Sequence, residues 1–183
     1  MSDRYKVFDD WQAHFVTCTV VGWADALSRP EYKEVILDSL RFCQQRKGLR
    51  IYAWVIMANH LHMIVSAATG HKLPDIMRDF KKFTSRTMID AISNNPSESR
   101  REWMLSMFGY AGRSNNDNEI FQFWKGDYHP VTLYTPELFE QRLTYLHENP
   151  VRAGIVWEPQ DYKYSSAVDY YEQQKGLLDI IIL

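Results

Sequence analysis

The chain has 183 residues, 45% of them hydrophobic, which is enough for one core, so we expect a single domain over residues 1–183. The net charge is −2, which does not indicate nucleic-acid binding, but residues 72–113 carry eight basic and five acidic side chains, a local +3 that permits a phosphate-binding face. The two cysteines lack CxxC spacing, so we expect no thiolate zinc site. The N-terminus lacks an apolar signal region, and no apolar run approaches the ~18–20 residues of a membrane span. We therefore expect a cytoplasmic protein.

The first third of the chain predicts a strand, a helix and a second strand. Residues 14–21 are β-branched and aromatic, which is typical of a strand, and Gly22 ends it. Ser28 is a candidate N-cap, Pro30 lies in the first turn, and the helical pattern continues until Gly48. Residues 49–57 then predict the second strand.

The middle of the chain predicts a hairpin and a second helix. Residues 60–67 form a third strand, and the short link before it indicates an antiparallel pair with residues 49–57. The second helix covers residues 74–92, and its pattern predicts two faces. The inward face is Ile76, Phe80, Phe83 and Thr87, and the outward basic stripe is Arg78, Lys82 and Arg86. This basic stripe is a candidate for contacts with a DNA backbone, although a solvated helix face explains it equally well.

The last part of the chain is more irregular. Residues 94–118 are polar around an apolar island and predict a mobile loop or a short inserted helix. Residues 120–124 and 131–134 look extended and are predicted to form or flank a fourth strand. Thr135 then caps a third helix that should end before Pro150, and Ser165-Ser166 caps a final helix.

The predicted order β-α-β-β-α-β is typical of the ferredoxin-like (RRM-like) plan. We therefore expect an α+β fold with an antiparallel sheet, helices on one face and a C-terminal helical extension.

Two histidines occupy alternate positions of the third predicted strand. His60 and His62 point to the same face, whereas Leu61, Met63 and Val65 point to the other. Two imidazoles on a rigid strand make half of a site for a divalent cation. An arbitrary His-x-His pair is more often two unrelated histidines, so the spacing alone does not decide.

Tyr145 and Asn149 lie four residues apart on the third predicted helix, and therefore on one of its faces. The chain has eleven tyrosines, and most tyrosines belong to a core or a surface. Spacing alone therefore favours a packing role for Tyr145.

The histidine strand carries the first resemblance to a known family. The segment from Ala53 to Val65, which contains Met57-Ala58-Asn59-His60-Leu61-His62, resembles the HUH strand of the single-tyrosine HUH transposases, and among these it is most similar to the REP-associated tyrosine transposases. In that family "Met-Pro-Asn-His" runs into "His-x-His". Here Ala58 replaces the usual proline, a change that affects the turn and leaves both histidines in place.

Further segments resemble the same family. The match covers Tyr145-Leu146-His147-Glu148-Asn149-Pro150-Val151-Arg152-Ala153-Gly154 and the later Tyr162-Lys163-Tyr164-Ser165-Ser166-Ala167. The stretch Lys81-Lys82-Phe83-Thr84-Ser85 is also similar. The run from Phe123 to Pro130 is looser, since Lys125 replaces the usual glutamine. The resemblance spans residues 10–170.

The resemblance implies a role for each matching position. Tyr145 would be the nucleophile, His60 and His62 would be metal ligands, and Asn149 would occupy the position of a third ligand that is often glutamine. His147 and Glu148 lie on other faces of the helix. The implied partner is single-stranded DNA with hairpin or repeat ends. Relatives include monomers and dimers that share the site, so a homodimer is also open.

The implied chemistry suits these residue types. Cleaving a phosphodiester while keeping its energy requires a covalent intermediate, and a phenol can form a 5′-phosphotyrosine. A free phenol has a pKa near about 10, so positive charge must favour the phenolate at neutral pH. Imidazole and amide ligands with open positions suit Mg²⁺ or Mn²⁺, although histidines alone would also accept zinc.

Three rival interpretations remain at this point. The chain could be a non-catalytic ferredoxin-like module that binds nucleic acid through aromatics on an exposed sheet face. It could be a metal-dependent hydrolase that uses bound water. It could also be a domesticated relative that cuts a host repeat without moving DNA.

Overall fold

A four-stranded antiparallel sheet forms the centre of the fold. The computed structural model describes residues 10–114, 120–126 and 129–183. The sheet order is β2-β3-β1-β4, and the strands are β1 (His14–Thr19), β2 (Leu49–Ile56), β3 (His60–Ala67) and β4 (Val131–Thr132). This α+β arrangement confirms the predicted ferredoxin-like class.

The predicted hairpin is formed by β2 and β3, two strands of eight residues each. β2 and β3 pair antiparallel from Leu49↔Ala67 to Ile56↔Leu61, and β3 starts at His60 as predicted. β3 also pairs with β1, with Thr17 opposite His62 and Thr19 opposite His60. The histidines are thus held on a central strand that hydrogen bonds on both sides.

Three helices cover one face of the sheet: α1 (Pro30–Lys47), α2 (Leu73–Asn94) and α3 (Arg101–Arg113). Leu61, Met63 and Val65 point into the core beneath them, as predicted. α1 ends at Gly48, whose φ of 72° is left-handed and favours glycine. The N-cap of α1 is Arg29, so the predicted cap at Ser28 is wrong; Ser28 ends a preceding 3₁₀ turn.

The buried side of α2 differs from the predicted stripe. Ile76 and Phe80 are buried, but Phe83 is 59% exposed. Thr84 is buried instead, where its hydroxyl donates to the Phe80 carbonyl and accepts from the Trp124 indole. A polar residue with one local and one distant hydrogen-bond partner therefore takes the core position that the apolar pattern assigns to its neighbour.

The segment after α2 contains α3, a helix of 13 residues. For the central part of residues 94–118, the predicted inserted helix is therefore confirmed in place of a mobile loop. Residues 115–118 of that prediction lie outside the described residues, as do Asp127 and Tyr128 of the looser motif.

The C-terminal part covers the opposite face of the sheet. α4 (Pro136–His147) begins after Thr135, whose hydroxyl accepts from the Leu138 amide as predicted. Its apolar side packs with sheet residues in a second core of Phe15, Val55, Ile64, Phe139, Leu143 and Leu146. The short helices α5 (Asn149–Arg152) and α6 (Ala167–Tyr171) follow. Among the described helices, none combines the length and apolar character needed to cross a bilayer.

Candidate active site

The histidine pair lies on the sheet face that α4 covers. The ring centroids of His60 and His62 are 4.6 Å apart. Nδ1 of His60 lies 2.6 Å from the Asn59 side-chain oxygen, and Nδ1 of His62 lies 2.8 Å from the Thr17 hydroxyl. Since an amide oxygen can only accept, His60 Nδ1 carries the hydrogen and its Nε2 keeps the lone pair. The Thr17 hydroxyl can donate or accept, so it holds the His62 ring in place and is compatible with either tautomer.

Both imidazoles are held in the neutral form. Burial lowers the pKa of His60, and a hydrogen bond from the protonated ring to the Asn149 side chain opposes this by favouring the charged form. Burial, followed by the charges of His60 and Arg142, lowers the pKa of His62 to about 3. A neutral imidazole is the form that binds a metal, so these shifts favour ligation near neutral pH.

α4 brings Tyr145 to the same place. The Tyr145 ring centroid lies 5.6 Å from that of His62 and 6.0 Å from that of Phe15. Asn149 is fixed one turn later, because its amide donates to the Tyr145 carbonyl at 2.8 Å. The side chains of Tyr145, His60, His62 and Asn149 therefore meet within one chain, across a sequence separation of more than eighty residues.

Two arginines flank the tyrosine, and sequence analysis missed both. The Arg152 guanidinium lies 5.3 Å from the Tyr145 ring centroid, and the Arg142 guanidinium lies 5.3 Å from the Phe15 ring centroid. The buried Nε of Arg142 has no hydrogen-bond partner among the described residues. The spacing of Arg142, three residues before Tyr145 on the same helix, is the signal that could have revealed it.

His147 has a structural role on the other side of α4. It is 1% exposed, its Nε2 lies 2.9 Å from the Ser166 hydroxyl, and burial lowers its pKa to about 4. Its ring packs against Tyr170 and Tyr171 of α6. His147 therefore fixes the C-terminal segment and does not face the histidine pair.

The basic stripe on α2 lies on the far side of the sheet. Arg78, Lys82 and Arg86 point outward as predicted, but α2 packs on the face opposite Tyr145. Arg78 is also paired with Asp75 and Asp79, whereas Lys82 and Arg86 border a groove beside Phe42 and Phe83. The stripe does not line the candidate site.

Comparison with known families decides the relationship. The profile of the IS200-like transposases matches residues 7–111, more than half of the chain. This chain belongs to the IS200-like transposase family. The matched residues include β3 with both histidines, whereas α4 with Tyr145 lies beyond the match. No match was found among curated protein sequences.

One solved structure shares its fold with this chain over the whole length. A REP-associated tyrosine transposase bound to a REP hairpin superposes with a TM-score of 0.67 at 14% identity, covering 100% of this chain and 95% of that one. A candidate transposase from Deinococcus radiodurans R1 gives a TM-score of 0.43 at 16% identity, covering 81% and 97% of the two chains. The first likeness establishes the fold of this IS200-like transposase.

The side chains of this transposase fit a divalent cation. No group of three or more histidine, cysteine, aspartate and glutamate residues suitable for a metal is present in the described ranges. A third protein ligand would have to be another type of side chain, and the Asn149 amide is within hydrogen-bonding reach of His60. Two imidazole nitrogens and one amide oxygen would leave positions for water and phosphate around a cation, a ligand set compatible with Mg²⁺ or Mn²⁺.

Proposed function

We propose that the chain cleaves and rejoins single-stranded DNA through a 5′-phosphotyrosine on Tyr145. The observation that supports this most directly is the contact of the Tyr145 ring with His62, 5.6 Å between centroids, inside one chain. A single copy can therefore assemble the site, and a homodimer is not required for it.

His60, His62 and Asn149 would hold Mg²⁺ or Mn²⁺. When bound, the ion would polarise the scissile phosphate and offset charge on its oxygens. Asn59 and Thr17 bind the Nδ1 atoms of His60 and His62, respectively. These bonds would hold each ring in an orientation that directs its other nitrogen toward the metal.

The remaining chemistry belongs to Tyr145 and the arginines beside it. A bond forms between the Tyr145 oxygen and phosphorus while the bond from phosphorus to the 3′ oxygen breaks. The phenol loses its proton, and the departing 3′ oxygen gains one. Arg152 lies over the Tyr145 ring and Arg142 acts electrostatically on His62, so both guanidinium charges are placed to stabilise negative charge on the phosphate. The reverse reaction rejoins a 3′-hydroxyl end without a nucleotide cofactor.

The solved relative is bound to a REP hairpin, and we propose hairpin or repeat ends as substrates here as well. Lys82 and Arg86 would contact the phosphate backbone of such a DNA on the face of the protein that α2 covers, at a distance from the cleavage site. Arg78 is a weaker contact because two aspartates already pair with it.

The non-catalytic rival has less support from the fold. A ferredoxin-like module reads bases on an open sheet face, but α4 covers that face here and Phe15 is only 6% exposed. A hydrolase remains distinguishable by its products, because it would release both DNA ends. A domesticated relative would share this chemistry and differ only in the DNA that it serves.

An experiment with flanking DNA tests the proposal. Labelled single-stranded oligonucleotides that tile both strands around the gene would be incubated with Mn²⁺ and separated on a denaturing protein gel. We expect a labelled protein band that His60→Ala abolishes. Cleavage without any protein-linked label would favour the hydrolase, and binding without cleavage would favour the binding module.

A further inference from the structure

Trp23 is an exposed indole at the edge of the candidate site. It lies in a 3₁₀ turn just after β1, is 57% exposed, and its ring centroid is 6.2 Å from that of His60. Its φ of 56° is left-handed, a conformation that side chains with a Cβ rarely adopt. Such local strain persists only where surrounding contacts maintain it, and it is common at ligand-binding positions.

The contacts of Trp23 tie it to the histidine pair. Its amide donates to Val20, and its carbonyl accepts from the Asn59 side chain at 3.4 Å. The same Asn59 side chain binds Nδ1 of His60. Asn59 therefore fixes the backbone of Trp23 and the imidazole of His60 relative to each other.

Lys125 adds a positive charge to this indole. Its ammonium lies 4.5 Å from the Trp23 ring centroid, a cation–π contact. The Lys125 backbone is itself fixed, because its amide donates to Thr19 and its carbonyl accepts from Lys81. Trp23 is still 57% exposed although Lys125 lies over one face of its indole. The other face of the indole is therefore largely open.

The strand register places Trp23 and Tyr145 at opposite ends of the histidine pair. Along β1, Phe15 contacts Tyr145, Thr17 lies opposite His62, and Thr19 lies opposite His60. Trp23 follows the end of the strand and contacts His60. A phosphate at the histidine pair would thus have the nucleophile on one side and the indole on the other.

We infer that Trp23 and Lys125 form the binding site for the nucleotide that leaves with the free 3′-hydroxyl. Displacement at phosphorus is roughly in line, so the departing nucleotide lies opposite the attacking oxygen. Its base would stack on the indole, and Lys125 would contact its phosphate. This inference rests on the proposed function, and it assigns a substrate contact to residues outside the nucleophile and ligand set.

Photo-crosslinking tests the stacking directly. The probe is a flanking-DNA oligonucleotide that gives the adduct with the wild-type chain, with 5-iododeoxyuridine placed 5′ to the cleaved phosphate. Bound to the Tyr145→Phe variant and irradiated, it should crosslink to the peptide that contains Trp23. Crosslinking elsewhere, with the adduct formed normally, would overturn the inference and leave the proposed function intact.

Substitutions give an independent measurement. Trp23→Leu should weaken oligonucleotide binding about 10-fold, whereas Trp23→Phe should stay close to the unsubstituted chain because it retains a stacking ring. The control is Trp11→Leu, since Trp11 is 65% exposed at the other end of β1 and should leave binding unchanged. All three are compared in the Tyr145→Phe background, where binding is separate from chemistry.

Rejoining gives the last readout. In the catalytic chain, Trp23→Leu should let the 3′-hydroxyl strand escape, so the adduct accumulates while religation falls about 10-fold relative to cleavage. Equal losses in Trp23→Leu and Trp23→Phe, or unchanged religation, would show that the indole does not hold this strand. Absence of any adduct in the wild-type chain would overturn the proposed function and this inference together.

Discussion

Thr17→Val removes one hydroxyl that orients a candidate metal ligand. The Thr17 hydroxyl lies 2.8 Å from Nδ1 of His62, and His62 is 6% exposed. Valine has nearly the same shape and suits a strand, so β1 should keep its pairing with β3. The substitution therefore tests the orientation of His62 with little change in packing.

Two effects of this substitution can be estimated from the structure. Loss of the hydrogen-bond partner behind a metal-binding histidine commonly lowers metal affinity by about 10- to 100-fold, since the ring loses its fixed orientation. A buried nitrogen left without a partner costs about 1–3 kcal/mol, which should appear as a lower free energy of unfolding. Both effects should occur together in the same variant.

The assay measures Mn²⁺ binding by electron paramagnetic resonance and stability by urea unfolding. The matched control is Thr19→Val, because Thr19 lies opposite His60 on the same strand face and its hydroxyl binds neither histidine among the described residues. We expect the control to bind Mn²⁺ like the wild type. Unchanged affinity in Thr17→Val, or a larger loss in the control, would refute the reasoning on His62.

Three further predictions concern stability, catalysis and DNA binding. Burial raises the pKa of Glu98, but hydrogen bonds from Arg100 and Arg29 outweigh it and lower the pKa to about 2. In the unfolded chain this carboxyl has its ordinary pKa of 4.5, so its full contribution to the free energy of unfolding is present above that pH. As the pH falls toward 2, the free energy of unfolding should drop by about 3 kcal/mol. A free energy of unfolding that does not change with pH, measured by urea unfolding, would contradict this. Arg142→Leu should slow adduct formation about 100-fold in single-turnover assays at saturating DNA, and an unchanged rate would exclude a phosphate contact. Lys82→Gln should reduce the salt dependence of oligonucleotide binding by about 0.7 in slope without changing the adduct rate, and an unaltered slope would remove Lys82 from the DNA path.

Local sequence signals predicted the parts of the fold that local physics determines. The residue pattern predicted a strand that begins at His60, a helix end at Gly48 and a helix cap at Thr135. The structure has all three: β3 begins at His60, α1 ends at the left-handed Gly48, and Thr135 caps α4. The same alternation correctly separated His60 and His62 from the core-facing residues between and beyond them. These features depend on neighbours within a few positions.

The remaining features depend on tertiary contacts that no local pattern reveals. Phe83 looks like a core residue by spacing, yet Thr84 takes the buried place because Trp124, forty residues away, supplies its partner. The packing of α4 on the second sheet face brings Arg142 and Arg152 to the site, and the spacing of Arg142 from Tyr145 indicates a shared helix face without indicating that this face meets the histidines. Trp23 gains its position from a strained turn after β1, which only the backbone shows.

The attacking residue can be identified by one measurement. The wild-type chain would be incubated with Mn²⁺ and a cleavable flanking-DNA strand, digested with protease, and the DNA-linked peptide sequenced by mass spectrometry. We predict one phosphotyrosyl peptide, with the DNA on Tyr145, and none in Tyr145→Phe although that variant still binds the strand. An adduct on another of the eleven tyrosines, or one that survives in Tyr145→Phe, would contradict the proposed mechanism.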